Sequence, residues 1–384
     1  MSPENPPREE GNGDDAFLGS VSPPVFRTSL FTFPDCASFE KAFRGEGDRF
    51  IYSRVSNPTV RFLERKVAEL EGAEDSIAFA SGMGAISAVL LAHLSAGDHL
   101  IMFARSYAPT LALTRGLLLR MGIETTLVQP SEVSRIEGLV RDRTRLIYTE
   151  SPASLTFEVT DLGLIGAAGK ARGIPTVTDN SWATPVFQRP LEMGIDISLH
   201  SGTKYLGGHS DILLGVAAGS RAALEKVRAA ATLLGASPSP EDAFLATRGL
   251  RTLSLRMRRH EESAFLMARR LLLHEGVLEV LHPALPFFPT HGLWKKQFSG
   301  SSGLFAIRIR GDVRRFADAL RVFRIGVSWG GFESLVLPHA VVASAHPADD
   351  LRSDIPRDLV RLSIGLEDPE ELWSDLERAL AASR

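Results

Sequence analysis

Short apolar runs alternate with helix-like segments over residues 58–238, and this alternation constrains the fold more than any other feature. Buried strands are predicted at Ser76–Ala80, His99–Phe103, Thr125–Val128, Leu146–Thr149, Thr176–Thr178 and Ile195–Leu199. Helices are predicted at Pro58–Leu70, Ala85–Leu94, Thr110–Met121 and Leu162–Arg172. Strands separated by helices pair in parallel, and helices cover both faces of their sheet. We therefore predict an α/β fold with a mostly parallel sheet sandwiched by helices.

The pattern changes at Ser237–Pro240, where serine and proline residues indicate a boundary. Beyond it, a long helical stretch at about Asp242–His274 precedes strands at Leu304–Ile309 and Leu359–Ile364 and helices at Val313–Phe323 and from Pro369. These elements predict a smaller C-terminal α+β domain. We divide the chain into a disordered tail (1–18), a segment before the first long helix (19–57), a large domain (58–238) and a small domain (239–384).

Charge and hydropathy argue against several kinds of partner. The formal net charge of −3 gives no reason to expect nucleic acid or an anionic membrane surface. The arginines from Arg248 to Arg259 are predicted to form the polar face of a helix. No apolar run approaches the roughly 20 residues that span a bilayer, and the polar first residues lack the features of a signal peptide. The sequence thus predicts a cytoplasmic protein.

Cysteine and histidine content argues against a metal centre. The single cysteine, Cys36, rules out an internal disulfide and a cysteine metal site, and we predict that it is a small core or interface residue. The chain has ten histidines, but no carboxylate–histidine spacing typical of a metal site is present. No metal ion is therefore expected.

Lys204 stands apart from the other lysines of the chain. Lys66, Lys170 and Lys226 lie in helical patterns with charged neighbours, and they are predicted to face solvent. Lys204 follows the apolar run Ile195–Leu199 and is surrounded by Ser201, Gly202, Thr203, Tyr205, Gly207 and Gly208. A lysine at the carboxyl end of a strand, among hydroxyls and glycines, suits an imine-forming amine near a phosphate. A lysine in a surface loop is the alternative interpretation.

Two further features lie at predicted strand ends. Asp179 follows the strand Thr176–Thr178, where a carboxylate can pair with a protonated pyridine nitrogen or, alternatively, act as a helix cap or turn residue. Ser81, Gly82, Met83 and Gly84 follow the strand Ser76–Ala80 and begin a helix. Backbone N–H groups at such a position favour an anion, although a turn of small residues is also a common packing feature. Together with Lys204 in one parallel-sheet pattern, these features favour the functional interpretation.

Several motifs resemble those of the Cys/Met-metabolism family of pyridoxal 5′-phosphate (PLP) enzymes. They are Tyr52-Ser53-Arg54 with Asn57-Pro58-Thr59, Ser81-Gly82-Met83, Asp179-Asn180, and Ser201-Gly202-Thr203-Lys204-Tyr205 with Gly208-His209-Ser210-Asp211. The resemblance runs from about Gly19 to the C-terminus. It implies PLP as the cofactor and the PLP-dependent transferase fold, which is aspartate-aminotransferase-like and known as fold type I.

The resemblance also implies roles in cofactor binding. Lys204 would hold PLP as a Schiff base and shuttle the Cα proton, Asp179 would pair with the pyridine nitrogen, and Tyr107 would stack on the ring and assist catalysis. The phosphate would be held by Gly82, Met83, Ser201 and Thr203. Tyr52 and Arg54 would reach the phosphate of the neighbouring subunit, which makes residues 19–57 an N-terminal arm. An active dimer, and a homotetramer of two such dimers, are therefore implied.

Three more residues would bind the sulfur-containing amino-acid substrate. Arg361 would bind the α-carboxylate with its planar guanidinium, Ser328 would complete the carboxylate site, and Trp329 would form a wall of the pocket. The alternatives are an interdomain ion pair for Arg361 and a core-packing role for Trp329. Tyr107 can likewise be interpreted as a loop aromatic, and Arg54 as a surface residue.

Several stretches resemble the bacterial cystathionine β-lyase branch of the family. They are Glu150-Ser151-Pro152-Ala153-Ser154-Leu155, Asp179-Asn180-Ser181-Trp182, His282-Pro283-Ala284-Leu285-Pro286, Gly300-Ser301-Ser302-Gly303-Leu304-Phe305, Ser328-Trp329-Gly330-Gly331-Phe332-Glu333-Ser334-Leu335, and Arg361 through Gly365-Leu366-Glu367-Asp368. This resemblance implies α,β-elimination of L-cystathionine to L-homocysteine, pyruvate and ammonia, a transsulfuration step of methionine biosynthesis. The alternatives are γ-elimination or γ-replacement, as in methionine γ-lyase, cystathionine γ-synthase or O-acylhomoserine sulfhydrylase, and a C–S β-lyase acting on cysteine conjugates. A binding or regulatory protein is disfavoured, because Lys204, Asp179, Tyr107 and Arg361 are all present.

Overall fold

The computed structural model describes residues 20–345 and 354–384, so the predicted disordered tail lies outside the described residues. The strands of its larger sheet are β1 (Asp75–Phe79), β2 (His99–Phe103), β3 (Glu124–Val128), β4 (Thr144–Glu150), β5 (Thr176–Asp179), β6 (Ile197–Ser201) and β7 (Gly215–Gly219). Across the sheet they follow the order β1-β7-β6-β5-β4-β2-β3. Strand β7 pairs antiparallel with β1 and β6, and all other neighbours are parallel. The predicted mostly parallel sheet is confirmed.

Helices cover both faces of this sheet. The helices in this part of the chain are α1 (Cys36–Phe43), α2 (Pro58–Glu71), α3 (Gly82–His93), α4 (Ala108–Leu113), α5 (Ile136–Leu139), α6 (Leu162–Arg172), α7 (Thr184–Phe187) and α8 (Arg221–Leu234), of which α1 lies in the segment before the first long helix. On one face, Val89 of α3 and Leu224 of α8 belong to the same apolar cluster as Leu100 of β2. On the other face, Ile165 of α6 shares a cluster with Ile101 of β2. Because both faces of the sheet are buried there, the inner strand β2 is apolar from Leu100 to Phe103.

A second, smaller sheet follows in the chain. Its strands are β8 (Val277–Leu281), β9 (Leu304–Ile309), β10 (Arg324–Ile325), β11 (Leu335–Pro338) and β12 (Leu359–Ser363). Their order is β10-β11-β12-β9-β8, and only β10 and β11 pair in parallel. The accompanying helices are α9 (Pro240–Leu250), α10 (Leu253–Leu272), α11 (His291–Gln297), α12 (Val313–Ala319), α13 (His339–Ala345) and α14 (Pro369–Ala382). This is the predicted α+β region, whereas the exact domain limits stay predictions.

The helix predicted at Val313–Phe323 is shorter in the structure. It ends at Ala319, since Leu320 adopts an extended conformation with a ψ of 144°. The backbone N–H groups of residues 321, 322 and 323 then donate to the carboxylate of Asp375, at N–O distances of 2.8 to 3.1 Å. The Asp375 side chain from α14 therefore accepts the hydrogen bonds that backbone carbonyls would accept if the helix continued.

Other limits also differ from the prediction. The stretch Asp242–His274 is divided into α9 and α10 by a turn at Arg251 and Thr252. Strands β7, β8, β10 and β11 were not predicted. The sequence of β7 is Gly-Val-Ala-Ala-Gly, and its small residues give little of the bulky apolar signal that indicates a buried strand.

Three residues lie in environments other than those predicted. Lys66 is buried, its ammonium group donates to the Glu69 carboxylate at 3.1 Å, and it does not face solvent as predicted. Arg256 is also buried, which contradicts a place on the polar face of a helix. Cys36 is exposed in this chain and is not a core residue. Its alternative placement in a subunit interface stays a prediction.

Two further properties concern the whole of the described chain. Among its helices, none is long and apolar enough to cross a bilayer. Within residues 20–345 and 354–384, no group of three or more His, Cys, Asp or Glu side chains is arranged to hold a metal ion.

Asp375 provides a test of the packing around the end of α12. We expect Asp375→Asn to lower the free energy of unfolding by about 2–4 kcal/mol, because an acceptor oxygen for buried and half-buried N–H groups becomes a donor. Asp312→Asn is the matched control, since Asp312 caps the exposed start of α12 and asparagine is an equally good N-cap. Urea unfolding followed by circular dichroism measures both variants. Equal losses in the two variants would contradict the role assigned to Asp375.

Candidate active site

A cavity of about 220 Å³ lies at the edge of the larger sheet where the parallel strands end. Because β1, β2, β4, β5 and β6 all run in the same direction, the residues that follow them converge at this edge. Residues of the smaller sheet close the cavity from the other side. The predicted site residues that line it are Gly82, Met83, Tyr107, Asp179, Ser201, Thr203, Lys204, Trp329 and Arg361.

Lys204 projects its amine into this cavity from the turn that follows β6. Its Nζ donates to the Ser328 hydroxyl at 2.7 Å and lies 5.5 Å from the centre of the Trp329 ring. Burial of the amine, and to a smaller extent the positive charge of Arg361, lowers the pKa of Lys204 to about 8, while the Asp179 carboxylate acts in the opposite direction. The amine is therefore far more available as a base or nucleophile than a surface lysine.

Ser328 joins Lys204 to Arg361. While its hydroxyl accepts from Lys204, its backbone carbonyl accepts from Nη2 of Arg361 at 2.8 Å. Ser328 has a φ of 69°, a left-handed conformation that costs a serine energy and that the surrounding packing must maintain. Arg361 belongs to β12, so the guanidinium at this site comes from the smaller sheet.

Asp179 ends β5, and its position is tied to β6. Its Oδ1 accepts from the N–H of Ser181 at 2.9 Å, and the Ser181 hydroxyl accepts from the N–H of Ser201 at 2.6 Å. Among the described residues, no hydrogen-bond donor to the Oδ2 of Asp179 is found. This oxygen can therefore accept a hydrogen bond from a protonated ring nitrogen placed in the cavity.

The start of α3 forms an anion cradle. The N–H groups of Gly82 and Met83 lie in the first helical turn, where the helix offers no acceptor, and the helix dipole favours negative charge there. A side chain at Gly82 would bring its Cβ within 2.9 Å of the Ser201 hydroxyl, so only glycine permits this approach. The Thr203 hydroxyl, by contrast, is hydrogen-bonded to the Leu214 backbone at 2.9 and 3.2 Å.

Tyr107 lies at the mouth of the cavity and is 47% exposed. Its N–H donates to Oε2 of Glu150 at 2.6 Å, which fixes the backbone just before α4. Glu150 ends β4, as Asp179 ends β5, and lines the same cavity. No role was predicted for Glu150, although its position at the end of a buried strand could have indicated that it lies at the site.

Tyr52 and Arg54 are not brought to the cavity of their own chain. Tyr52 is 42% exposed, and Arg54 donates through Nη1 to the carbonyl of Thr232 at 2.6 Å. The Arg54 guanidinium also lies 5.6 Å from the centre of the Tyr52 ring. The role of this pair at a neighbouring subunit stays a prediction.

The groups around the cavity fit PLP. Lys204 supplies an amine of lowered pKa, Asp179 a carboxylate oxygen that faces the cavity, and Gly82 with Ser201 a narrow anion cradle. Tyr107 supplies an exposed aromatic ring at the mouth. An aldehyde, a basic ring nitrogen and a phosphate are the three groups by which PLP binds, and each has a matching partner here.

Comparisons with known proteins agree with this chemistry. The family model described as Cys/Met metabolism PLP-dependent enzyme matches residues 9–381. The cystathionine beta-lyase of Bordetella avium is 38% identical over 374 residues, which cover 95% of this chain and 93% of that protein. The L-methionine gamma-lyase of Pseudomonas putida is 38% identical over 372 residues, which cover 95% and 94%.

The crystal structure of cystathionine gamma-lyase from Lactobacillus plantarum, complexed with L-serine, superposes with a TM-score of 0.90. Its sequence is 32% identical, and the match covers 96% of each chain. The seven-stranded mixed sheet flanked by helices is that of fold type I. The chain belongs to the Cys/Met-metabolism family of PLP-dependent enzymes.

Proposed function

We propose that this protein catalyses the α,β-elimination of L-cystathionine, with uptake of water, to L-homocysteine, pyruvate and ammonia, as a cytoplasmic transsulfuration step. The observation that carries the proposal is the position of the Lys204 amine between Ser328, which also contacts Arg361, and the Trp329 ring. A base, a carboxylate-binding cation and an aromatic wall are thus within reach of one amino acid. The resemblance of residues 328–335 to the β-lyase branch favours β-elimination.

Each residue contributes a distinct function to this reaction. PLP, when bound, withdraws electrons from the Cα of an amino acid joined to it and makes the Cα proton acidic. Asp179 keeps a ring nitrogen protonated, and Arg361 binds the α-carboxylate through its planar fork. Lys204 accepts the Cα proton, and Lys204 or Tyr107 delivers a proton to the departing homocysteine sulfur. Burial holds the pKa of the free Lys204 amine at about 8, so this amine gives up its proton more readily than that of a surface lysine.

The cofactor phosphate would be held by the N–H groups of Gly82 and Met83 and by the hydroxyls of Ser201 and Thr203. We also propose that Tyr52 and Arg54 complete the phosphate site of a neighbouring subunit, in a homotetramer of two active dimers. Exposed apolar side chains in the N-terminal arm support such a contact, since Leu30 is 55%, Phe43 66% and Val55 50% exposed in the single chain.

A γ-elimination or γ-replacement enzyme is the second candidate. The methionine gamma-lyase of Pseudomonas putida and the cystathionine beta-lyase of Bordetella avium are equally similar to this chain, at 38% identity. A C–S β-lyase of cysteine conjugates would use the same residues. The product distinguishes the first candidate from the second, because β-elimination of an amino acid leaves pyruvate and γ-elimination leaves 2-oxobutyrate.

The reaction can be assigned by product analysis. We expect the PLP-loaded protein to convert L-cystathionine to pyruvate and homocysteine, and Lys204→Ala to yield no keto acid above background. The keto acid and the thiol product are identified by mass spectrometry. Release of 2-oxobutyrate with cysteine would place the enzyme in the γ branch, and no product at all would remove cystathionine as the substrate.

The Lys204 amine should titrate in the neutral range. In the cofactor-free protein we expect its labelling by an amine reagent to rise with a midpoint near pH 8, because the amine reacts only when deprotonated. Arg361→Met should raise this pKa by removing a positive charge, and Asp179→Asn should lower it by removing a negative one. Competitive labelling with peptide mass spectrometry, with exposed Lys41 as internal reference, measures the midpoint. A wild-type midpoint near 10.5 would contradict the assignment.

The guanidinium of Arg361 should be irreplaceable by an ammonium group. We expect Arg361→Lys to lower kcat/KM for L-cystathionine by about 100-fold, mostly through KM, since lysine cannot bind a carboxylate through a planar fork. Arg308→Lys on neighbouring β9 is the matched control, because Arg308 lies outside the cavity and pairs with Asp358. Steady-state kinetics of both variants decides the matter. Wild-type kcat/KM in Arg361→Lys would show that Arg361 does not bind the substrate.

A further inference from the structure

Arg256 is a buried cation to which the proposed reaction assigns no role. It is 6% exposed, and its Nη1 and Nη2 donate at 2.7 Å to the backbone carbonyls of Tyr205 and Gly249. Its Nε donates to the Thr252 hydroxyl at 3.1 Å. None of the carboxylates in the described part of the chain pairs with it. Burial lowers the pKa of Arg256 to about 10, so it stays charged at neutral pH.

A guanidinium without a carboxylate partner is an unfavourable group to bury. Stability alone would favour an apolar side chain at this position, provided that the carbonyl groups found other donors. Departures of this kind from good packing occur mainly where function requires them. The residues that contact Arg256 indicate which function this is.

Arg256 lies directly beneath the turn that carries Lys204. The turn closes through a hydrogen bond from the N–H of Gly208 to the carbonyl of Lys204 at 2.7 Å. Gly208 has a φ of 74°, and a side chain at this position would overlap the Arg256 guanidinium. The backbone of the turn therefore packs directly against the Arg256 guanidinium, which extends from helix α10.

Tyr205, the residue after Lys204, is held at its carbonyl and its hydroxyl. Its carbonyl accepts from Arg256, and its hydroxyl accepts from the N–H of Gly303 at 3.0 Å. Its ring lies with centroid distances of 5.1 Å to His260 and 5.5 Å to Trp329. The position of Tyr205 thus affects both the Lys204 amine and the aromatic wall beside it.

We propose that Arg256 is a positioning residue for Lys204. By holding the carbonyls of Tyr205 and Gly249 with one planar fork, it attaches the Lys204 turn to the junction of α9 and α10. This attachment fixes the direction in which the Lys204 amine enters the cavity. A lysine in its place reaches only one of the two carbonyls, and methionine reaches neither, which explains the need for arginine.

The test uses the PLP-loaded enzyme and the variants Arg256→Met and Arg256→Lys. We expect kcat to fall about 10- to 100-fold in Arg256→Met with KM nearly unchanged, because a small displacement of a catalytic amine has this effect. The visible circular dichroism per bound cofactor should weaken, since that signal reports how rigidly the cofactor is held. Arg256→Lys should be intermediate in both. Asp375→Asn, which loses buried hydrogen bonds outside the cavity, should retain wild-type kcat and dichroism.

Three outcomes would decide against the proposal or separate it from the proposed function. If Arg256→Met matches Asp375→Asn in kcat and dichroism, Arg256 is a structural residue only. If Arg256→Met does not fold, Arg256→Lys decides, and wild-type values of both quantities in that variant overturn the proposal. The kinetic measurement rests on the proposed function, but the dichroism does not. Failure of the wild type to release pyruvate from cystathionine would therefore leave the dichroism as the test of Arg256.

Discussion

The burial of the Lys204 amine between the two sheets is the constraint on which the rest of the site depends. The larger sheet supplies the turn that carries Lys204, while Ser328, Trp329 and Arg361 come from the segment that forms the smaller sheet. Removal from water lowers the lysine pKa to about 8, and the opposed charges of Arg361 and Asp179 adjust it further. If the two sheets separated, water would restore the ordinary basicity of the amine and the carboxylate site would be lost.

Close backbone packing maintains this arrangement on both sides of Lys204. Gly82 allows the start of α3 to approach Ser201, which narrows the anion cradle. Ser328 adopts a left-handed conformation and is hydrogen-bonded to both Lys204 and Arg361. A strained serine and a buried, carboxylate-free Arg256 are both unfavourable by themselves, and both occur next to Lys204, the residue to which we assign the central chemical role.

The fold, and the convergence of the candidate site residues on one cavity, could be largely predicted, and the errors have a common origin. Lys204, Asp179 and the turn at Gly82 were identified because parallel strands bring their carboxyl ends to one edge. Helix α12 was predicted to extend beyond Ala319, where it ends. The N–H groups that follow it donate to the carboxylate of Asp375, which lies more than 50 positions further along the chain and could not be anticipated from local sequence. Lys66 and Arg256 were expected to face solvent, since helical spacing does not show which elements pack over a charged residue.

The sequence by itself determined the alternation of strands and helices, the strand ends at which Lys204 and Asp179 stand, and the family. These properties follow from local periodicity and short motifs, which act over a few residues. Only the tertiary structure decided that Ser328, 124 positions from Lys204, contacts its amine and that Arg256 supports its turn. It likewise decided that Tyr52 and Arg54 lie outside the cavity of their own chain. Contacts of this kind depend on how whole elements pack, because burial and charge at one residue are set by neighbours distant in the chain.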